Sequence, residues 1–178
     1  MPAVRPPIAR PLRPRRPLAD SFRFALDGIC HALITERNMK IHFAAGGLLL
    51  LWCLAVRPPA ALVLWALAAV HAVIALELVN TAVERVTDLA TGGTARALAG
   101  VAKDVAAGAV LIVSMGALGV GIYLGVSSYP WRWRLFSSAH PLGAVESLWG
   151  LSVLCFLAVR SVLQRKRLGW DDGEGGNE

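Results

Sequence analysis

The stretch that most constrains this chain is Glu77-Leu78-Val79-Asn80-Thr81-Ala82-Val83-Glu84-Arg85-Val86-Thr87-Asp88, which continues the apolar run of residues 60–76 without a break. That continuity predicts one helix over residues 60–88. On a helix turning about 100° per residue, Glu77, Asn80, Thr81, Glu84 and Asp88 fall within roughly 60° of one line. Leu78, Val79, Ala82, Val83 and Val86 cover the rest of the surface. Packing alone does not explain such a stripe at the end of a membrane-length helix. An ionised carboxylate near mid-bilayer costs about 2.5–3.5 kcal/mol, and like charges one turn apart repel. Something positive must sit there, and a divalent metal is the most economical candidate.

The remaining composition points to a membrane protein of one domain. Of 178 residues, 56% are hydrophobic and 17% charged, and the mean hydropathy is +0.55, which is membrane-like rather than soluble. The net charge of +6 is concentrated in flanks and loops, so it informs topology first. No zinc pattern and no basic stripe interleaved with aromatics is present, so no nucleic-acid partner is expected. Cys30, Cys53 and Cys155 are widely spaced in apolar surroundings and read as small buried hydrophobes. No apolar h-region with a small-residue cleavage site follows the start, so no cleavable signal peptide is expected.

Along the chain, residues 1–17 hold six prolines and five arginines. Proline removes backbone donors and low hydrophobicity denies a core, so a disordered tail is expected. It either attaches to anionic headgroups or only sets orientation. Ser21 fits a helix N-cap, and Phe22, Ala25, Leu26, Ile29, Ala32 and Leu33 follow at helical spacing, predicting an amphipathic helix in the interface plane. Gly28 within it implies close approach to something. Residues 39–56 form a span near the lower length limit, with His42 one turn inside as a structural group, and Arg57-Pro58-Pro59 ends it in a rigid turn. A helix over residues 60–88 is about 43 Å long at 1.5 Å per residue, so Glu84 and Asp88 must reach the headgroups while Glu77 lies deeper. Thr91-Gly92-Gly93-Thr94 reads as a flexible loop.

A further helix over about residues 96–126 carries Lys103 and Asp104 in its first turns, then the slim run Ala106-Ala107-Gly108-Ala109, which allows close backbone approach. Gly121 and Gly125 hint at a helix contact. Residues 127–141 carry Tyr129, Trp131 and Trp133, an interfacial aromatic belt. Residues 142–163 form a last apolar run, with Glu146 and Arg160 near its ends, stopped by Gln164-Arg165-Lys166-Arg167. The basic residues favour a cytoplasmic N-terminus, a cytoplasmic connection between residues 85 and 103, and a cytoplasmic C-terminus, leaving Arg57, Arg132 and Arg134 opposite. Glu36, Glu77, Glu84, Asp88, Lys103 and Asp104 then gather at one face from three segments.

Magnesium is held by one or two carboxylates, with substrate phosphates completing the octahedron, and Glu36 with Glu84 fits that number. Lys103 suits nucleotide phosphate oxygens, and Asp104 can orient it or contact a second metal or ribose. Glu77, deeper and more desolvated, suits general-base work on a hydroxyl entering from the lipid side. Phosphoryl transfer needs mainly positioning and charge neutralisation. A purely structural polar network, satisfied by Lys103 and Arg85, is the alternative, as is a small non-catalytic membrane protein or a proton or ion translocator using Glu77. A relay has little to work with, since His71 is offset by six positions from Glu77 and reads as structural.

The segments Ser21-Phe22…Ala25…Gly28, Glu36-Arg37-Asn38…Ile41-His42, Glu77-Leu78-Val79-Asn80-Thr81-Ala82-Val83-Glu84…Asp88 and Ala102-Lys103-Asp104-Val105-Ala106-Ala107-Gly108-Ala109-Val110-Leu111 resemble the prokaryotic diacylglycerol kinase family. They are most similar to its undecaprenol kinase branch, over about residues 20–126. The resemblance implies an all-α integral membrane lipid kinase: an amphipathic interfacial helix, three transmembrane helices, a homotrimer with shared active sites, and Mg²⁺-ATP as donor. By matching position, Glu77 resembles the proton acceptor and Glu36 and Glu84 the metal ligands. Lys103 and Asp104, with the two metal ligands, resemble nucleotide-site residues, and Asn80 and Asp88 supporting polar groups. Phe22, Phe24 and Gly28, with Ala107, would line the lipid and nucleotide approaches. Ala107 stands where the diacylglycerol-using branch has serine, and the loop at residues 92–96 lacks the family's polar aromatics.

The expected organisation is a tail over residues 1–19, a lipid kinase membrane domain over 20–126, an extracytoplasmic loop over 127–141, an additional C-terminal fourth transmembrane helix over 142–164 and a cytoplasmic tail over 165–178. The expected function is ATP-dependent phosphorylation of undecaprenol, or else of diacylglycerol, in the bacterial cytoplasmic membrane.

Overall fold

The computed structural model describes residues 17–92, 96–135 and 137–167. Among them are five helices and no strand: α1 (Leu18–Thr35), α2 (Arg37–Val56), α3 (Ala60–Thr91), α4 (Ala97–Ser127) and α5 (Pro141–Arg167). Four of these, α2 to α5, are long and apolar enough to cross a membrane, so the chain is an all-helical membrane protein. Of the tails expected over residues 1–19 and 165–178, residues 1–16 and 168–178 lie outside the described residues, as do Gly93 and Thr94 of the expected loop, while residues 18–19 belong to α1 and 165–167 to α5.

The start of α1 differs from expectation in how it is capped. Ser21 lies inside α1, and Pro17 holds the cap position at φ −54°, ψ 144°, without a side-chain cap bond. The Pro17 carbonyl accepts the Asp20 N–H at 3.0 Å instead, and Asp20 in the first turn complements the helix dipole. Phe22, Phe24 and Ala25 in the first half of α1 are exposed, while Cys30, Ala32 and Leu33 in the second half are buried. That pattern suits a helix that leaves one end at a membrane surface and docks the other.

One extended residue, Glu36 at φ −90°, ψ 125°, separates α1 from α2. The α2–α3 corner is made by Arg57 in the left-handed region (φ 58°, ψ 57°), followed by two prolines that cannot continue a helix hydrogen-bond ladder. α3 has 32 residues, about 48 Å at 1.5 Å per residue, against a hydrocarbon core of about 30 Å. Its last turns therefore leave the membrane. Gly92 ends it at φ 58°, ψ 32°, its N–H donating to Asp88 and Leu89 carbonyls, a position where a Cβ would be strained.

α3 and α4 share the most extensive helix–helix contact, and α5 packs on α2, α3 and α1. The core joins Leu50 and Cys53 of α2, Val63, Ala66 and Leu67 of α3, Leu124 of α4 and Leu154 of α5. Arg160 of α5 donates to Asp27 of α1 at 2.6 Å. The fourth spanning helix is thus seated inside the bundle of this chain. α4 in turn has only Val110 and Leu124 buried, and presents Leu111, Ile112, Met115, Leu118 and Ile122 outward.

Three small-residue expectations change. A Cβ at Gly28, Gly121 or Gly125 would meet nothing within 4 Å, so close packing at these positions is absent within the described chain. An added Cβ would instead come within 2.7 Å of Val70 at Gly46, 2.8 Å of the Pro58 carbonyl at Gly143 and 2.6 Å of Leu67 at Gly150, so the tight approaches lie there. Cys155 is exposed, unlike Cys30 and Cys53, because it sits on the outer face of α5. His71 is structural as read: Nδ1 donates to the Leu67 carbonyl at 2.7 Å and the ring stacks on Trp149.

The contrast between two glycines is testable by thermal unfolding in detergent. Gly143→Val drives side-chain atoms into backbone and should lower stability by about 1–3 kcal/mol. Gly28→Ala, with open space and a helical backbone, should raise it by about 0.5–1 kcal/mol.

Candidate active site

The inward stripe of α3 carries the first part of the site. Glu77 is 2% exposed, Asn80 6% and Thr81 7%. Thr81 satisfies itself locally by donating to the Glu77 carbonyl at 3.0 Å. Glu77 Oε2 and Asn80 Oδ1 are buried without a hydrogen-bond partner among the described residues. Buried acceptors left this way cost about 1–3 kcal/mol each, so they mark a place prepared for something else. One turn on, Asn80 Nδ2 donates to Glu84 Oε1 at 3.1 Å and fixes that carboxylate over the stripe.

The α1–α2 joint brings the second part. Because Glu36 alone is extended between two helices, its side chain is held at a corner. Glu36 Oε1 accepts from Thr35 Oγ1 at 3.1 Å and from Arg85 Nη2 of α3 at 3.1 Å. The charges that act on Glu77 are His42 of α2, Glu84 and Glu36. His42, read as a structural group, is therefore the ionisable side chain of α2 that faces Glu77. The signal in the sequence was an ionisable side chain one turn inside an apolar span.

The third part lies further along α3, where Lys103 of α4 donates to Asp88 Oδ1 at 2.6 Å. Asp104, the next residue, is exposed, as is Ala107. Phe22 is 71% exposed, Phe24 48% and Gly28 has open space beside it, so α1 does not pack these three against the carboxylates. The structure thus brings Glu36, Glu77, Asn80, Glu84 and Arg85 into one neighbourhood and places the Asp88–Lys103 pair at the same end of the bundle. The paired cations anticipated for a structural network, Arg85 and Lys103, do bind carboxylates here.

Among the described residues no group of three His, Cys, Asp or Glu side chains could hold a metal by itself. Magnesium takes one or two carboxylates and completes its shell with water and phosphate oxygens. Glu36, Glu84 and the orphaned Asn80 Oδ1 form an all-oxygen donor set, which suits a hard cation.

A multi-span membrane protein with such a set at one end, beside a lysine, has the parts of a membrane-embedded phosphotransferase. Residues 23–124 match the model of the family described as prokaryotic diacylglycerol kinase. A protein of a Synechocystis strain, named diacylglycerol kinase, is 40% identical over 133 residues, covering 68% of this chain and 72% of its own. No solved structure gives a significant match. The chain belongs to the prokaryotic diacylglycerol kinase family and is a lipid kinase, which uses ATP and a lipid substrate and sets the translocator alternative aside.

The Arg85–Glu36 pair has side chains 56% and 24% exposed. Exposed pairs contribute little, so Arg85→Gln should move the unfolding free energy by less than about 1 kcal/mol, measured by chemical denaturation in micelles.

Proposed function

We propose that this kinase phosphorylates undecaprenol at the cytoplasmic leaflet of the bacterial inner membrane, with Glu77 as the proton acceptor and Mg²⁺-ATP as donor. The observation that carries the reading is a nearly fully buried carboxylate with an unpartnered oxygen, set deeper than Glu84 on the same stripe. The lipid hydroxyl gives its proton to Glu77 as its oxygen bonds the γ-phosphorus, and the bond from that phosphorus to the ADP oxygen breaks. Glu36 and Glu84 would hold a magnesium ion, which when bound would offset charge on the phosphate oxygens. Lys103, steered by Asp88, contacts the phosphates, and Asp104 lies beside it for the nucleotide. Asn80 keeps Glu84 in place.

Undecaprenol is favoured by Ala107 and by the Glu36-Arg37-Asn38 and Val105-Ala106-Ala107-Gly108 segments, as the resemblance reads them. Diacylglycerol is the second reading, favoured by the name of the Synechocystis relative. The basic residues at the carboxylate end, Arg37, Lys40, Arg85 and Lys103 among them, support a cytoplasmic site and cytoplasmic termini. A homotrimer with shared sites accords with the apolar outer face of α4. Phe22, Phe24 and Gly28 on α1 then lie on the approach for lipid and nucleotide.

Purified protein in lipid, given labelled ATP and Mg²⁺ with each alcohol separately, tests the acceptor: label should enter undecaprenol faster. Glu77→Gln should lower turnover by about 10²–10⁴-fold, the usual weight of general-base catalysis, with helix content unchanged. Wild-type rates in that variant would remove Glu77 from the role. Asn80→Leu releases Glu84 and should cut the rate by roughly tenfold, equal to about 1.4 kcal/mol, while raising the magnesium concentration needed for half-maximal activity.

A further inference from the structure

At the end of the bundle away from the carboxylates, the α2–α3 corner and the loop between α4 and α5 line a half-open cavity of about 410 Å³. Arg57, Arg132, Arg134, His140, Ser128 and Tyr129 are among its lining residues, and no acidic side chain is. Among the described residues none of these three arginines forms an ion pair. Like charges gathered without a counter-charge oppose folding of this loop, and they run against the charge bias that orients the chain.

The cluster is also built rather than loosely draped. Arg57 Nη2 donates to the Leu135 carbonyl at 2.7 Å, and the Arg134 N–H donates to the Ala55 carbonyl at 2.8 Å, so two arginines are anchored from opposite walls. Arg57 Nε and Ser128 Oγ are buried with no partner among the described residues. Arg57 (φ 58°) and His140 (φ 46°), the positive-φ non-glycine residues of the described chain, both line this cavity. Backbone strain of this kind persists where a site over-determines the conformation. Guanidinium donors in the lining, excess positive charge and no acid among the lining residues together call for an anion with several acceptor oxygens. Guanidinium groups match phosphate in this way, with paired N–H donors.

Depth narrows the source of that phosphate. Tyr129, Trp131 and Trp133 are exposed beside the cavity, and Trp131 Nε1 donates to the Gly125 carbonyl at the end of α4 at 2.7 Å. Exposed aromatics of this type sit at headgroup level, which puts the arginines where lipid phosphates lie. We propose that this cavity binds the phosphate group of a phospholipid headgroup on the membrane face opposite the kinase site. The proposal does not depend on which alcohol the kinase phosphorylates.

The test titrates the purified full chain, in neutral detergent, with dioctanoyl phosphatidylglycerol, with a phosphate-free galactolipid and with inorganic phosphate, counting bound adducts by native mass spectrometry. Wild type should bind phosphatidylglycerol saturably and the galactolipid only weakly. Arg132→Gln/Arg134→Gln should weaken phosphatidylglycerol binding by about tenfold or more, as expected when charge-assisted hydrogen bonds are lost. Its lipid kinase activity should be unchanged, which reports that the bundle is intact. Should that variant misfold, Arg132→Lys/Arg134→Lys keeps the charge without the paired donors and should show a smaller loss. Inorganic phosphate binding at equal affinity, lost in the same variant, would keep the phosphate site and assign it a soluble ligand. Equal phosphatidylglycerol affinity in wild type and variants, or no saturable binding of phosphatidylglycerol or phosphate by wild type, would overturn the proposal.

Discussion

The burial of Glu77 is the constraint on which the acidic end of this molecule depends. A carboxylate in a membrane helix is tolerated only where it faces protein or a polar cavity. α3 turns Glu77, Asn80 and Thr81 inward, while Val79 and Val86 on the same turns face outward. Thr81 returns its proton to the helix, so it relieves nothing for Glu77. The ionisable groups around Glu77 are Glu84 further along α3, His42 from α2 and Glu36 from the joint before it. Glu36 and Glu84 are like charges to Glu77 and repel it, so the unpartnered Glu77 oxygen finds no compensation in them.

Three plain backbone facts supply the geometry. α3 is longer than a bilayer core is thick, so one helix carries a buried acid and, further along, acids that reach water. Glu36 is a single extended residue between two helices, which makes a corner without a loop and so without much conformational freedom to lose. Gly92 stops α3 in the left-handed region, and α4 returns alongside it, which sets Lys103 against Asp88. None of these needs a special side-chain scaffold.

Much of this was legible in the chain because membrane helices report themselves through length and hydropathy, and because a 3.6-residue period places Glu77, Asn80, Glu84 and Asp88 on one face. The expected spans differ from α2, α3, α4 and α5 by a few residues at their ends. What stayed hidden is what depends on neighbours. Ser21 looked like a cap, but Pro17 offered a carbonyl to the first turn earlier in the chain. Gly28 and Gly121 looked like close contacts, whereas Gly143 and Gly150 are the ones pressed against Pro58 and Leu67, and no pattern within α5 says which side meets α2. His42 could be noticed as an ionisable group in an apolar run, yet its influence on Glu77 follows only from how α2 lies against α3. Asp104 and Ala107 have matching positions but face away from the packed side of the chain.

α5 links the two ends of the molecule. Near its start, Gly143 rests on the Pro58 carbonyl at the arginine-rich corner. Near its finish, Arg160 holds Asp27 and the Cys30 thiol lies against the Leu157 carbonyl, both on α1. The ion pair is partly exposed and contributes little to stability, but it fixes where α1 can lie. Since α1 runs directly into Glu36, the position of that carboxylate is set partly by a helix that lies beyond the matched residues 23–124. A rod packed along its whole length transmits displacement better than a loop does. The added helix therefore braces the interfacial helix against the core, and it does so from the side of the bundle that α4 leaves free.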